Sequence, residues 1–217
     1  MISMEPLSDR AWVARFPSEM DAACWASALR NAHIDGVVEV ILAYGTVAVF
    51  SDPWLVDLQD LEQSLQKVVA VSETTMTSRV FLIPVLYNGP DLAEVAERTS
   101  LSIAEVIAIH GGTEYRVQAM GFQPGFPYAG DLPAELRGLP RRESPRPRVP
   151  RGSVAIVGHQ TAIYPNDSPG GWHLLGKTPC KIAEPEANHF PIHVGDRLRF
   201  VPIDEAEYLA RRDEPLQ

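Results

Sequence analysis

The sequence predicts an α+β protein in two parts, an amino-terminal α/β unit followed by a mostly β one. Three observations lead there. Helix-period and strand-period apolar patterns alternate over residues 1–86. From Tyr115 to Pro179, glycine and proline recur every few residues, which leaves room only for short strands joined by stiff loops. No long helical stripe appears in the second half before a tail at Asp204 to Arg212.

In chain order, Ala11 to Phe16 is a short apolar run and reads as a strand. Ser18 and Asp21 make a capping-box pattern ahead of Ala22, Trp25, Ala26 and Leu29, which fall on one helical face. Val37 to Ala43 and Thr46 to Phe50 are β-rich runs meeting at Tyr44-Gly45, a hairpin signal. Asp52-Pro53 supplies a cap and first position for a second helix, with a stripe of Leu58, Leu61, Leu65, Val68 and Val69. Val80 to Leu86 is the next strand. The order βαββαβ is the split βαβ, ferredoxin-like plan, expected over residues 1–88.

Leu92 to Thr99 and Ser102 to His110 read as two helices forming a linker over residues 89–112. Ser102 with Glu105 is a second capping box, Ile103, Val106, Ile107 and His110 share a face, and Gly111-Gly112 stops the helix. Residues 113–217 then form the β domain. Tyr115, Val117 and Ala119 alternate with polar neighbours, and Val154 with Ile156 and Leu198 with Phe200 repeat the two-residue period.

Composition narrows the function. At 217 residues the chain has room for one large or two small domains. Its 19 Lys and Arg against 28 Asp and Glu give a net charge of -9, against nucleic-acid binding, which needs a basic face. The imbalance is uneven: residues 1–100 carry 6 basic and 14 acidic side chains, residues 101–217 carry 13 and 14. Cys24 and Cys180 are too few for a disulfide framework or a cysteine-rich zinc site and suit a reducing, cytoplasmic setting. The first residues lack a signal-peptide pattern, and no stretch reaches the ~18 apolar residues of a membrane span.

The segments GFQPGFPY (Gly121 to Tyr128), SPRPRVPRGSVAIVG (Ser144 to Gly158), QTAIYP (Gln160 to Pro165) and SPGGWHLLGKTP (Ser168 to Pro179) together resemble the family of 5-oxoprolinase B subunits (PxpB), also called the KipI or allophanate hydrolase subunit 1 family. The likeness extends more weakly upstream through Asp9 to Phe16, Phe50 to Pro53 and Ile83 to Leu92. Two departures are that Asn88-Gly89-Pro90 is shorter than the family's usual glycine-rich stretch, and that Ala162 replaces the glycine of QTGIYP. The resemblance implies a cyclophilin-like barrel for the β domain.

Candidate site residues lie on the loops of this half. Arg137, Arg141, Arg142, Arg146, Arg148 and Arg151 form a cluster that can grip carboxylate or phosphate, or else a solvated or docking loop. Arg146 and Arg148 are favoured as anion binders because Pro145, Pro147 and Pro150 stiffen their loop. Gln160 and Tyr164 carry hydrogen-bonding groups suited to an amide or lactam, although a buried tyrosine is the plainer alternative. Phe122 and Phe126 can wall a small ring or plug a barrel end. His159 is the best-placed imidazole for acid-base work, with no assigned carboxylate to orient it. Gly171 to Thr178 spells a P-loop, but its bulky, strand-like run contradicts a phosphate-cradling loop; Lys177 remains a possible anion binder. His189 and His193 are separated by Pro191, against a helical zinc pair, and no metal site is expected.

The resemblance also implies a reaction. The family's B subunit works with a larger C subunit and a separate A subunit to convert 5-oxo-L-proline to L-glutamate at the expense of ATP with magnesium. The chain is then expected to be inactive alone, with its site shared at a subunit interface. Arg146 and Arg148 would hold anions, Gln160 and Tyr164 orient the ring, and His159 shuttle a proton. The same resemblance supports two other readings: a KipI-like inhibitor of a sensor histidine kinase, or a carboxyltransferase-like module of urea and allophanate metabolism. In the latter case biotin would have to arrive on another protein.

Overall fold

The computed structural model of the chain describes residues 3–69 and 78–216. It divides into two compact units, Met1–Met76 and Thr77–Gln217.

The first unit is a four-stranded antiparallel sheet with two helices. Its elements are β1 (Ser3–Ser8), β2 (Ala11–Arg15), α1 (Glu19–Ala32), β3 (Val37–Ala43), β4 (Thr46–Ser51) and α2 (Leu58–Gln66), and the sheet order is β1-β2-β4-β3. The α1 stripe is as the periodicity predicts: Ala22, Trp25, Ala26 and Leu29 are buried, and the Ser18 hydroxyl accepts the Asp21 N–H at 3.1 Å. The hairpin β3–β4 turns at Tyr44, which adopts the left-handed conformation. Helix α2 begins later than expected. Asp57 caps it, accepting from Gln59 and Asp60, while Asp52 accepts the N–H of Trp54 in a turn ahead of it.

The ferredoxin-like βαββαβ expectation needs correction. Its last strand, β5 (Val80–Val85), lies in the second unit, paired in parallel with β13 (Arg197–Pro202) from Arg197↔Val80 to Pro202↔Val85. The edge beside β2 is filled by β1, a polar segment without alternation that carries Pro6, as an edge strand tolerates. A strand's partner is a non-local choice, so an apolar run alone does not say which sheet it joins.

The second unit contains α3 (Leu92–Thr99), α4 (Ile103–Gly111), β6 (Glu114–Met120), β7 (Pro127–Gly130), β8 (Arg146–Val149), β9 (Ser153–Val157), β10 (Gln160–Ile163), β11 (Ser168–Gly170), β12 (His173–Lys177) and α5 (Glu205–Ala210), besides β5 and β13. Seven strands run in the order β12-β9-β10-β7-β6-β13-β5. The two edges meet: Leu86, just past β5, exchanges main-chain hydrogen bonds with Lys177 of β12 at 2.9 and 3.0 Å, so the sheet curls into a nearly closed barrel. The expected linker helices are part of this unit. Relative to the spans 1–88, 89–112 and 113–217, residues 78–112 pack with the barrel, α3 against β12 and α4 against β13. Val95, Val106 and His110 enter its core.

Alternation along the wall strands sets the site. Val154, Ile156 and Ile163 point into the barrel core with Tyr115, Val117, Leu198 and Phe200. Their neighbours Ala155, Val157, Ala162 and Tyr164 form a second apolar cluster with Phe126, Val149, Trp172 and Leu174. That cluster lies on the outer side of the wall, with Val149 contributed by the separate two-stranded ribbon β8–β11. Strand β9 is therefore buried on both faces. Among the described residues, no helix is long and apolar enough to cross a membrane.

Candidate functional site

The outer cluster opens into a cavity of about 250 Å³. Its wall is aromatic: Phe122, Phe126, Tyr128, Tyr164 and Trp172 surround it, with Arg141 and Arg142 beside them. The rings meet edge to face, Phe126 against Tyr164 at 5.2 Å, against Tyr128 at 4.9 Å and against Trp172 at 5.8 Å. Two glycines make this possible. Gly125 takes a left-handed φ of 83° to turn the GFQPGFPY loop, and Gly170 lies where any β-carbon would collide with the Tyr164 hydroxyl. Phe122 also has a positive φ, 66°, and stays 60% exposed, an apolar ring held at the cavity mouth by a conformation uncommon for its type.

The polar groups are few. Burial pushes the Tyr164 phenol up to about 12, with Tyr128 adding to the rise, while Arg141, a main-chain hydrogen bond from Trp172 and Arg146 oppose it. Tyr128 is raised by burial and opposed by the same Arg141. Both phenols thus keep their protons at neutral pH and can donate. Arg141 is exposed and, among the described residues, has neither an ion pair nor a hydrogen bond. Its charge acts on both hydroxyls without a carboxylate to satisfy it.

Beside the cavity lies a buried charge junction. Asp91 is 2% exposed; its Oδ1 accepts from Arg142 Nη1 at 2.9 Å and Arg146 Nη2 at 2.6 Å, and its Oδ2 from the Leu174 N–H at 2.7 Å. Arg142 also reaches Glu94 at 2.9 Å, which holds that carboxyl below its ordinary range. Asp91 stands at the N-cap of α3 yet makes no side-chain cap, because its oxygens serve the arginines and β12. The short Asn88-Gly89-Pro90 stretch is the strap that delivers it: Gly89 N–H donates to Leu175 C=O at 3.0 Å, and a β-carbon on Gly89 would strike the β12 backbone.

The expected site residues therefore divide. Phe122, Phe126 and Tyr164 share the aromatic cavity. Arg146, Arg148 and Lys177 line a neighbouring cleft instead. Gln160 and His159 join neither set. Gln160 points to the same side of β10 as Tyr164 but four residues away, about 13 Å along a strand, and His159 is exposed in the β9–β10 turn. The six-arginine cluster is also dispersed. Arg137 donates to the Leu132 carbonyl, Arg148 pairs with Asp167 at 2.6 Å and Arg151 with Asp213. Gly171 to Thr178 is not a phosphate loop: His173–Lys177 is strand β12. The site also includes Tyr128, Arg141 and Asp91, which sequence reasoning does not single out. Tyr128 ends the GFQPGFPY motif and Arg141 belongs to the cluster, but nothing local distinguishes Arg141 from its paired neighbours.

Known proteins resemble the chain across most of its length. The family "Carboxyltransferase domain, subdomain C and D" matches residues 2–192. The 5-oxoprolinase B subunit of Bacillus subtilis (strain 168) is 36% identical over 97% of both chains, and that of Escherichia coli O157:H7 is 43% identical over 83% of this chain and 85% of its own. The crystal structure of TTHA0988 superposes with a TM-score of 0.80 at 38% identity, covering 91% of this chain but 40% of that longer one. The Kluyveromyces lactis urea amidolyase shares the fold, with a TM-score of 0.78 at 17% identity over 100% of this chain and 16% of its own. The chain belongs to the carboxyltransferase-domain family, subdomains C and D, and within it to the family of 5-oxoprolinase B subunits.

Proposed function

We propose that the chain is the B subunit of an ATP-dependent 5-oxoprolinase, which acts with a larger C subunit and an A subunit to convert 5-oxo-L-proline to L-glutamate in the cytoplasm. The observation that carries this reading is the unpaired Arg141 beside an aromatic cavity bearing two protonated phenols. 5-Oxoproline is a small lactam ring with one carboxylate. Its ring fits between aromatic faces, its carboxylate pairs with the Arg141 fork, and its carbonyl oxygen accepts from the Tyr164 hydroxyl. The names of the relatives and the family match support the same conclusion.

A lactam is a poor electrophile. Moving the terminal phosphoryl group of ATP onto its carbonyl oxygen makes the carbon attackable by water. The C–N bond of the adduct then breaks with the nitrogen leaving protonated as the amine of glutamate, water hydrolyses the acyl phosphate so formed to glutamate and phosphate, and nearby cations offset the charge that develops. This chain's residues bind and orient the ring. Among the described residues the cavity lining holds no imidazole, carboxylate or thiol, which supports a reading in which the companion subunit supplies the proton-transfer group and the chain is inactive alone. The nearly closed seven-stranded sheet supports reading the second unit as a cyclophilin-like barrel. Two buried, unpaired cysteines suit a cytoplasmic setting. The carboxyltransferase family match favours, as a second reading, a module of urea or allophanate metabolism served by biotin on another protein.

The test is reconstitution. With all three subunits present, ATP hydrolysis should depend on 5-oxoproline and yield glutamate. An assembled complex that hydrolyses no ATP when given 5-oxoproline would remove the reading.

A further inference from the structure

The second cleft differs in chemistry from the aromatic cavity. It measures about 350 Å³, and Arg146, Arg148, Arg151 and Lys177 converge on it with no Asp or Glu among the described residues of its lining. Pro90 and Pro150 stiffen its rim. Two of the four cations have unspent capacity. Arg146 gives Nη2 to Asp91 but keeps Nη1 buried without an acceptor, an arrangement that costs free energy until a ligand oxygen fills it. Lys177 has no carboxylate partner among the described residues; its ammonium lies 4.6 Å from the centre of the Tyr208 ring. The other two, Arg148 and Arg151, are held by Asp167 and Asp213 in solvent-exposed pairs, which contribute little and are readily exchanged for a ligand.

Four cations around one concavity exceed what a single carboxylate needs and match a chain of phosphates. The cleft is also next to the aromatic cavity. Arg142 lines one and Arg146 the other, and both end on the same oxygen of Asp91, so one carboxylate separates the two sites.

We propose that this cleft binds the phosphate chain of a nucleoside triphosphate and presents it towards the aromatic cavity. The choice of a nucleotide rests on the oxoprolinase reading; the choice of a polyphosphate rests on the cleft. The strand-borne Lys177 thus acts on phosphate without a phosphate loop, together with the free arm of Arg146.

The experiment is equilibrium binding of ATP, tripolyphosphate and inorganic phosphate to the purified full-length chain by calorimetry. ATP and tripolyphosphate should compete, weaken with salt, and both bind more tightly than inorganic phosphate. Lys177→Ala should weaken ATP by roughly tenfold or more with an unchanged melting temperature, whereas Arg197→Ala, which removes an exposed cation outside the cleft, should leave ATP affinity as it is. The proposal is overturned by wild-type chain that binds neither ATP nor tripolyphosphate, by inorganic phosphate binding as tightly as the triphosphate, or by equal effects of the two substitutions. The two readings can fail separately. Oxoproline-dependent turnover whose KM for ATP ignores Lys177→Ala sinks the cleft alone, and ATP binding at Lys177 in an assembly without oxoproline turnover sinks the reaction alone.

Discussion

The hydroxyl of Tyr164 occupies the space where a side chain on Gly170 would begin, 2.4 Å from where a β-carbon would stand. Tyr164 follows β10 of the barrel wall and Gly170 ends β11 of the ribbon, so this contact fixes how close the ribbon comes to the wall, and with it the width of the aromatic cavity.

Gly170→Ala should therefore damage binding more than folding. The added methyl displaces either the phenol or the ribbon, at a cost of about 1–3 kcal/mol typical of overpacking. Urea unfolding should register that loss, and the KM for 5-oxoproline in the assembled complex should rise. An unchanged KM would mean that the cavity is not where the ring binds.

Asp91→Ala should strongly destabilise the barrel unit. It leaves two guanidiniums and the Leu174 N–H without their shared acceptor. Both arginines retain about a quarter of their side-chain surface in water, which softens the penalty of an unpaired buried charge to roughly 2–4 kcal/mol. Denaturant midpoints measured for Asp91→Ala and Asp91→Asn check this, with Asn recovering part of the loss because its amide oxygen still accepts one hydrogen bond.

His110 should make the protein acid-sensitive. It is fully buried, hydrogen-bonded by Nδ1 to the Tyr87 hydroxyl at 2.7 Å and by Nε2 to the Thr161 hydroxyl at 2.9 Å, and stacked 4.5 Å from Phe200. Burial lowers its pKa from 6.5 to about 3. The folded chain then keeps the imidazole neutral where the unfolded chain takes up a proton. The stability His110 lends is whole above pH 6.5 and is lost as pH falls from there towards 3, at about 1.4 kcal/mol per pH unit. Unfolding free energies from about pH 7 to 5 should show that slope, and His110→Gln should flatten it by one proton whatever it costs in absolute stability. The same slope in both proteins would show that another group is responsible.

Local chemistry makes much of this legible and non-local pairing hides the rest. The Ser18 and Ser102 caps, the α1 stripe and the alternation of Val154 with Ile156 depend on neighbours a few residues apart, and each is readable from spacing. Val80–Val85 is readable as a strand, but its partner β13 lies more than a hundred residues away. The site follows the same division. Phe122 and Phe126 sit in a glycine-rich loop and Tyr164 precedes a proline, which marks them in the sequence although only Phe122 is exposed, whereas the split of the arginines into paired and free depends on where Asp91, Asp167 and Asp213 arrive in space. Closeness in sequence joins Gln160 to Tyr164, and an extended strand separates them.

Arg141 offers the sharpest test of the substrate assignment, because it is the cavity cation with no structural duty to lose. Arg142 and Arg146 hold Asp91, so their removal mixes folding with binding; Arg141 is exposed and unpaired, so its removal should change stability by less than about 0.5 kcal/mol. If it receives the carboxylate of 5-oxoproline, Arg141→Ala forfeits a charge-assisted hydrogen bond of about 1.5–3 kcal/mol, which is roughly a 10- to 150-fold rise in KM. Arg141→Lys keeps the charge but loses the planar fork, and should fall between the two. A neutral analogue lacking the carboxylate sharpens the comparison: it should bind wild-type and Arg141→Ala complexes alike. Equal KM values for 5-oxoproline in all three proteins would show that its carboxylate is held elsewhere, and the aromatic cavity would lose its claim to the substrate.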